Sequence, residues 1–161
     1  MPNVLPRCVP SLNALPASVL PQLRCPCPNP PLVPLPLFNT PVRAGFPSPA
    51  DDYVSDHLDL NEHLIAHKEA TFFLRAQGHS MMGAGIHDGD LLVVDRSLTP
   101  VHGHVVIAVV DGEFTVKRLY KRAGRIKLLA ENPDFAAMEF SDGQELQIWG
   151  IVMYVVHCLV R

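Results

Sequence analysis

His104-Val105-Val106-Ile107-Ala108-Val109-Val110-Asp111-Gly112-Glu113-Phe114-Thr115-Val116-Lys117-Arg118-Leu119-Tyr120 decides the fold class. Two β-branched and aromatic runs flank Asp111-Gly112, a dipeptide suited to a two-residue hairpin turn because both of its positions tolerate positive φ. The stretch predicts antiparallel strands over 104–110 and 113–120. Outward from it, Thr71 to Ala76, Asp90 to Asp95, Arg125 to Ala130 and Gln147 to Val156 are further strand-like runs, separated by Gly, Asp or Pro turns. Asp88-Gly89-Asp90 is another clear turn, and a second hairpin turns near Ala123-Gly124. One short helix is expected over 60–67, because Asp59-Leu60-Asn61-Glu62 has the Asp-x-x-Glu spacing of an N-cap with a reciprocal acidic partner. The expectation is a mainly β chain: a single compact antiparallel domain with one short helix. Absence of βαβ alternation and of a glycine-rich phosphate loop argues against nucleotide-dependent chemistry.

The chain has 161 residues and 48% hydrophobic content, enough for one domain with a real core. Its halves differ. Fourteen of its sixteen prolines fall within the first 49 residues, and no acidic residue occurs before Asp51. Residues 1–50 are therefore read as an extended or disordered proline-rich arm, and 51–161 as the folded domain. From Asp51 onward 16 acidic and 10 basic residues leave a net of −6, the wrong sign for gripping phosphates, so no direct nucleic-acid binding is expected. Six of those basic residues crowd into 117–127. Two readings of them stay open: the solvated face of a hairpin, or a docking patch for a protein or nucleoprotein partner.

No paired Cys-x-x-Cys framework occurs among Cys8, Cys25, Cys27 and Cys158, so no structural zinc site is expected, and the disulfide-poor pattern suits a reducing cytosol. His63 and His67 are four apart on the expected helix but lack a third ligand, and are read as solvent-facing rather than metal-binding. Prolines interrupt any apolar leader, and no stretch approaches the roughly 20 apolar residues of a membrane span, so a cytoplasmic protein without a membrane anchor is expected.

Candidate chemistry rests on Ser80, in Gly78-His79-Ser80-Met81-Met82, and Lys117, 37 positions later. A hydroxyl is a weak nucleophile until its proton is removed, and a lysine amine can remove it only where burial keeps it neutral. Bringing a lysine from ~10.4 to ~7 takes roughly 4 kcal/mol of desolvation and neighbouring positive charge. Alternation along 114–119 sets Lys117 on the strand face of Thr115 and Leu119, with Arg118 on the other, so burial has to supply most of that shift. Each residue alone has a plainer reading, as a turn serine and an exposed strand lysine. His79 points to the wrong place to serve as the base of its neighbour.

Gly78-His79-Ser80-Met81, Gly85-Ile86-His87-Asp88-Gly89-Asp90-Leu91-Leu92-Val93-Val94-Asp95 and Asp111-Gly112-Glu113-Phe114-Thr115-Val116-Lys117-Arg118-Leu119 together resemble the self-cleaving LexA/UmuD peptidase family, with the UmuD branch the nearer. Phe46-Pro47-Ser48-Pro49-Ala50-Asp51-Asp52-Tyr53 and Asp59-Leu60-Asn61 add to the likeness, which runs from about Pro36 to the C-terminus. The resemblance implies a domain of the LexA/UmuD C-terminal type and a Ser80/Lys117 dyad, with the main-chain amides of His79 and Ser80 as oxyanion donors. It implies self-cleavage of the arm at Ala44-Gly45, within Val42-Arg43-Ala44-Gly45-Phe46-Pro47, and no metal or cofactor. It further implies a homodimer, activation by a RecA filament on single-stranded DNA, and service of the trimmed form to a UmuC-like error-prone polymerase in the SOS response. Residues 1–36 contain nothing like the helix-turn-helix of the repressors in this family, so a repressor reading fails. The rival is a non-catalytic module that regulates a polymerase and keeps the peptidase fold. The apolar run Ile148 to Val156 fits either a strand buried on both faces or a dimer surface.

Overall fold

The computed structural model describes residues 29–38, 45, 54–140 and 146–160. Among these residues nine strands carry the fold: β1 (Leu35–Phe38), β2 (Val54–Leu58), β3 (Thr71–Arg75), β4 (Leu91–Asp95), β5 (Val105–Val110), β6 (Glu113–Arg122), β7 (Arg125–Leu129), β8 (Met138–Glu139) and β9 (Leu146–Val156). Seven of them form one antiparallel sheet in the order β3-β4-β9-β5-β6-β7-β8, while β1 and β2 pair as a separate two-stranded sheet. The expected mainly β, antiparallel architecture is borne out.

Both expected hairpins form, and their turns have the anticipated backbone. Asp111 and Gly112 adopt φ of 49° and 86°, Ala123 and Gly124 48° and 73°. In the first, Val110 faces Glu113 and the register runs unbroken to Val105 opposite Arg118. The last strand in chain order lies inside the sheet rather than at its edge. β9 lies between β4 and β5, with a bulge on each side, at Val93/Val94 and at Ile107/Ala108. Gly150 sits at this crowded point: a Cβ there would meet Val94 Cγ1 at 2.6 Å. Trp149 and Ile151 are buried, whereas Met153, Tyr154 and Val156 leave an exposed apolar row toward the end of the same strand. The first half of the run is thus buried in the sheet, and the second half leaves apolar side chains exposed.

Alternation divides the core. Phe72, Leu74, Leu92, Val94, Ile107 and Trp149 pack in one cluster, and Val106, Ala108, Leu119, Leu128 and Ile151 in another. Phe72 and Phe114 each tilt against Trp149 with ring centroids 5.2 Å apart, so the core includes the strand that carries Lys117.

Helix α1 (Leu60–Leu64) starts where the N-cap reading places it, with Asp59 Oδ1 accepting from Asn61 N at 2.7 Å. Its other carboxylate oxygen accepts from Val33 N at 2.6 Å, tying the segment before β1 to the start of the helix. The helix is shorter than the expected 60–67. It stops at Leu64, because Ile65 turns into the core and His67 is drawn to the end of β4, where its Nδ1 lies 2.6 Å from Asp95 Oδ2. His67 thus departs from the solvent-facing reading, although half of its ring remains exposed. Strand β1 falls inside the stretch read as an arm, and β1, β2 and β8 have no separate signal in the sequence. Among the described residues no helix is long and apolar enough to cross a membrane.

Candidate functional site

The chain leaves β3 at Arg75 and reaches Ser80 through Gly78, whose φ of 87° is open to glycine at little cost. Gly78 N donates to Asp88 Oδ1 at 2.7 Å, so the turn before β4 fixes the start of this loop. Met81, 2% exposed, anchors the loop in the core, and one 3-10 turn over Met82–Ala84 follows, ended by Gly85 with φ of 75°. A second set of bonds comes from across the sheet. Glu131 N donates to Ser80 O at 2.9 Å, Gly83 N to Glu131 O at 2.7 Å, and Asn132 Nδ2 to His79 O at 2.9 Å. Arg118 pairs with the Glu131 carboxylate and donates to Gly103 O at 2.8 Å. Main-chain bonds thus hold the serine on both sides.

Lys117 stands in the middle of β6, 9% exposed, with its Nζ 2.9 Å from Ser80 Oγ, 3.0 Å from Thr115 Oγ1 and 3.0 Å from Val116 O. Desolvation by burial holds its amine below the ordinary lysine value. No neighbouring cation is needed for that shift, since Arg118 is engaged by Glu131. Nζ donates to all three oxygens, the full complement of an ammonium's N–H groups. Loss of the proton directed at Ser80 Oγ would leave a neutral amine whose lone pair faces that hydroxyl, with its two remaining N–H groups still on Val116 O and Thr115 Oγ1. The arrangement can take a proton from Ser80 without rotation of either side chain.

A cleft of about 180 Å³ opens onto the pair, walled by Leu74, Gln77, Leu92, Ile107 and Phe114. With Arg75 and Thr115 also in its lining, the cleft mixes apolar and polar walls and fits an extended peptide, which needs both a place for small side chains and polar partners for its backbone. The exposed His79 ring makes no hydrogen bond to Ser80 among the described residues. Nor do the amides of His79 and Ser80 donate to a protein acceptor there. Of the residues singled out in the sequence, Ser80 and Lys117 are therefore brought together. Ala44 lies outside the described residues, and Gly45 is exposed in the connection between β1 and β2. Thr115 carries a signal in the sequence, two residues from Lys117 on one strand face. Glu131 and Asn132 carry none, because they act on the serine loop from some fifty residues away, largely through main-chain groups of that loop.

The sequence profile of the Peptidase S24-like family matches residues 36–153. Among curated proteins the chain is 49% identical to Protein ImpA of Salmonella typhimurium, over 76% of this chain and 83% of that one. It is 46% identical to Protein MucA of Escherichia coli over 74% of this chain and 82% of that one, and 40% identical to LexA repressor 2 of Geobacter sulfurreducens over 76% and 60%.

Proposed function

Since this chain belongs to the Peptidase S24-like family, as its three motifs imply, we propose that it is a serine peptidase that cuts its own N-terminal arm at Ala44-Gly45 with Ser80 and Lys117 as its dyad. The observation that carries the reading is a buried lysine, its amine held below the usual range, 2.9 Å from a loop serine at the mouth of a cleft. Lys117 Nζ takes the Ser80 proton as Oγ attacks the Ala44 carbonyl. The oxyanion then takes hydrogen bonds from the amides of His79 and Ser80. Collapse breaks the Ala44 C–N bond, the ammonium returns its proton to the departing Gly45 amine, and water releases the acyl group by the same route in reverse.

On this reading residues 1–50 are the arm, and 51–161 are the peptidase domain. A RecA filament on single-stranded DNA promotes cleavage in the cytoplasm, and the trimmed homodimer serves a UmuC-like translesion polymerase. The exposed apolar row Met153, Tyr154 and Val156 favours self-association. The rival, a regulatory module without chemistry, gives no account of why the amine is desolvated against a hydroxyl. The test is a mass spectrum of full-length protein incubated with activated RecA. The larger product should begin at Gly45, and Ser80→Ala should stay intact while remaining folded. A product starting elsewhere overturns the site, and cleavage of the alanine variant overturns the dyad.

A further inference from the structure

Outside the cleft, Asp90 at the start of β4 is buried and faced by two imidazoles. Asp90 Oδ1 lies 2.5 Å from His157 Nδ1, just past the end of β9, and Asp90 Oδ2 lies 3.7 Å from His87 Nδ1. Oδ2 also accepts from His87 N at 2.8 Å, which fixes the carboxylate. The imidazole rings stand 5.0 Å apart and are half exposed. Among the described residues no lysine or arginine pairs with Asp90; Arg75, which lines the neighbouring cavity, donates to Gly89 O at 3.1 Å instead. When both imidazoles are neutral, the cluster is therefore a buried negative charge flanked by two nitrogen ligands that solvent can reach.

We propose that His87, Asp90 and His157 form a binding site for a divalent transition ion of the zinc class. One ligand atom from each residue lies within 4.8 Å of the others. Ligands bound tetrahedrally at about 2.0–2.2 Å to one ion stand roughly 3.3–3.6 Å apart, so closure needs the half-exposed rings to draw in by a little over an ångström and the Asp90–His157 pair, now at 2.5 Å, to open around the ion. Two imidazoles and one carboxylate match zinc, cobalt or nickel better than calcium or magnesium, which prefer all-oxygen sites. The ion takes the place of the proton between Asp90 and His157, which leaves to solvent. Three protein ligands leave a position for water, and the site is separate from the Ser80–Lys117 pair.

The ion would join β9 to the turn before β4. That turn is already clamped to β3's exit by Ala76 N to Asp90 O at 2.8 Å and Gly89 N to Ala76 O at 2.9 Å, and it holds Gly78, two residues before Ser80. Occupancy should therefore stiffen the base of the serine loop and raise the melting temperature.

The test uses the full chain, stripped with chelator and titrated with zinc against a chromogenic competitor, and with cobalt followed in the visible region. One equivalent is expected to bind with d–d bands from a low-symmetry site. His87→Ala with His157→Ala should weaken zinc by tenfold or more and abolish the bands. Melting of the metal-free variant checks folding, and His157→Gln supplies a size-matched second variant expected to lose affinity similarly. Cys158→Ser should leave binding unchanged, because that thiol donates to Val160 O and lies outside the ligand set. Failure of the parent chain to bind, unaltered binding by the folded double variant, or loss of binding in Cys158→Ser would each overturn the site.

Discussion

Replacing Lys117 by methionine separates what its amine does for the reaction from what it does to the fold. Methionine retains much of the side-chain reach but has no N–H and no ionisable group. The three hydrogen bonds at 2.9, 3.0 and 3.0 Å are worth about 1 kcal/mol net each, so their loss costs up to about 3 kcal/mol. Against this stands relief from burying an amine that is 9% exposed. At pH 7 the two effects should leave the variant within about 1 kcal/mol of the parent. The pH dependence separates the two proteins further. Burial lowers the folded-state value, so the unfolded chain binds the Lys117 proton more tightly. The resulting penalty is complete below the folded pKa and fades as pH rises from there to the unfolded value near ~10.4. Across that window each pH unit adds about 1.4 kcal/mol to the parent, and nothing from this source to the variant. Urea unfolding of both full-length proteins at intervals from pH 7 to 10 measures the difference, and gel analysis of the same samples gives the cleavage rate. The rate should fall at least 10²–10⁴-fold in the variant, while in the parent it should climb with pH as the neutral amine becomes more populated. Parallel stability curves, or a variant that cuts at the parental rate, would refute the assignment.

Gly150→Ala should destabilise the fold by about 2–3 kcal/mol in urea titration, because the new methyl meets Val94 Cγ1 at 2.6 Å and Asp95 O at 3.1 Å, and Val94 is completely buried. The gain of up to about 1 kcal/mol from replacing a strand glycine is too small to reverse that sign, and a stabilised variant would count against the packing described. Burial alone would raise the pKa of Asp95, but hydrogen bonds from Ser97 and His67 outweigh it and hold the carboxyl below its ordinary value. Its contribution is present above the unfolded value and is lost as pH falls through the lower folded one, so Asp95→Asn should cost about 1–3 kcal/mol at pH 7 and give a flatter acid limb below pH ~4. Light scattering at micromolar concentration should return a dimer mass, and a Met153→Asp, Val156→Asp variant should return that of a monomer if the exposed end of β9 is the contact.

Local chemistry makes several elements legible in the chain itself. Asp111-Gly112 and Ala123-Gly124 specify tight turns because their backbone needs are met within the dipeptide, and Asp59 caps α1 through a bond only two residues long. Ser80 and Lys117 stand out because each lies in a recognisable motif, and the alternation of β6 already sets Lys117 beside Thr115. The distance between Ser80 and Lys117 is beyond such reading, as is the burial that lowers the lysine, since both depend on β9 pairing between β4 and β5 to join the two halves of the sheet. Pairing of β3 with β4 sets His67 against Asp95 and ends α1 early, and pairing of β4 with β9 brings His157 to Asp90 across 67 residues. Turns and caps close within a few residues and carry their own free energy. Strand order, burial and the site gain theirs only when segments far apart in the chain exclude water together, so tertiary structure alone decides them.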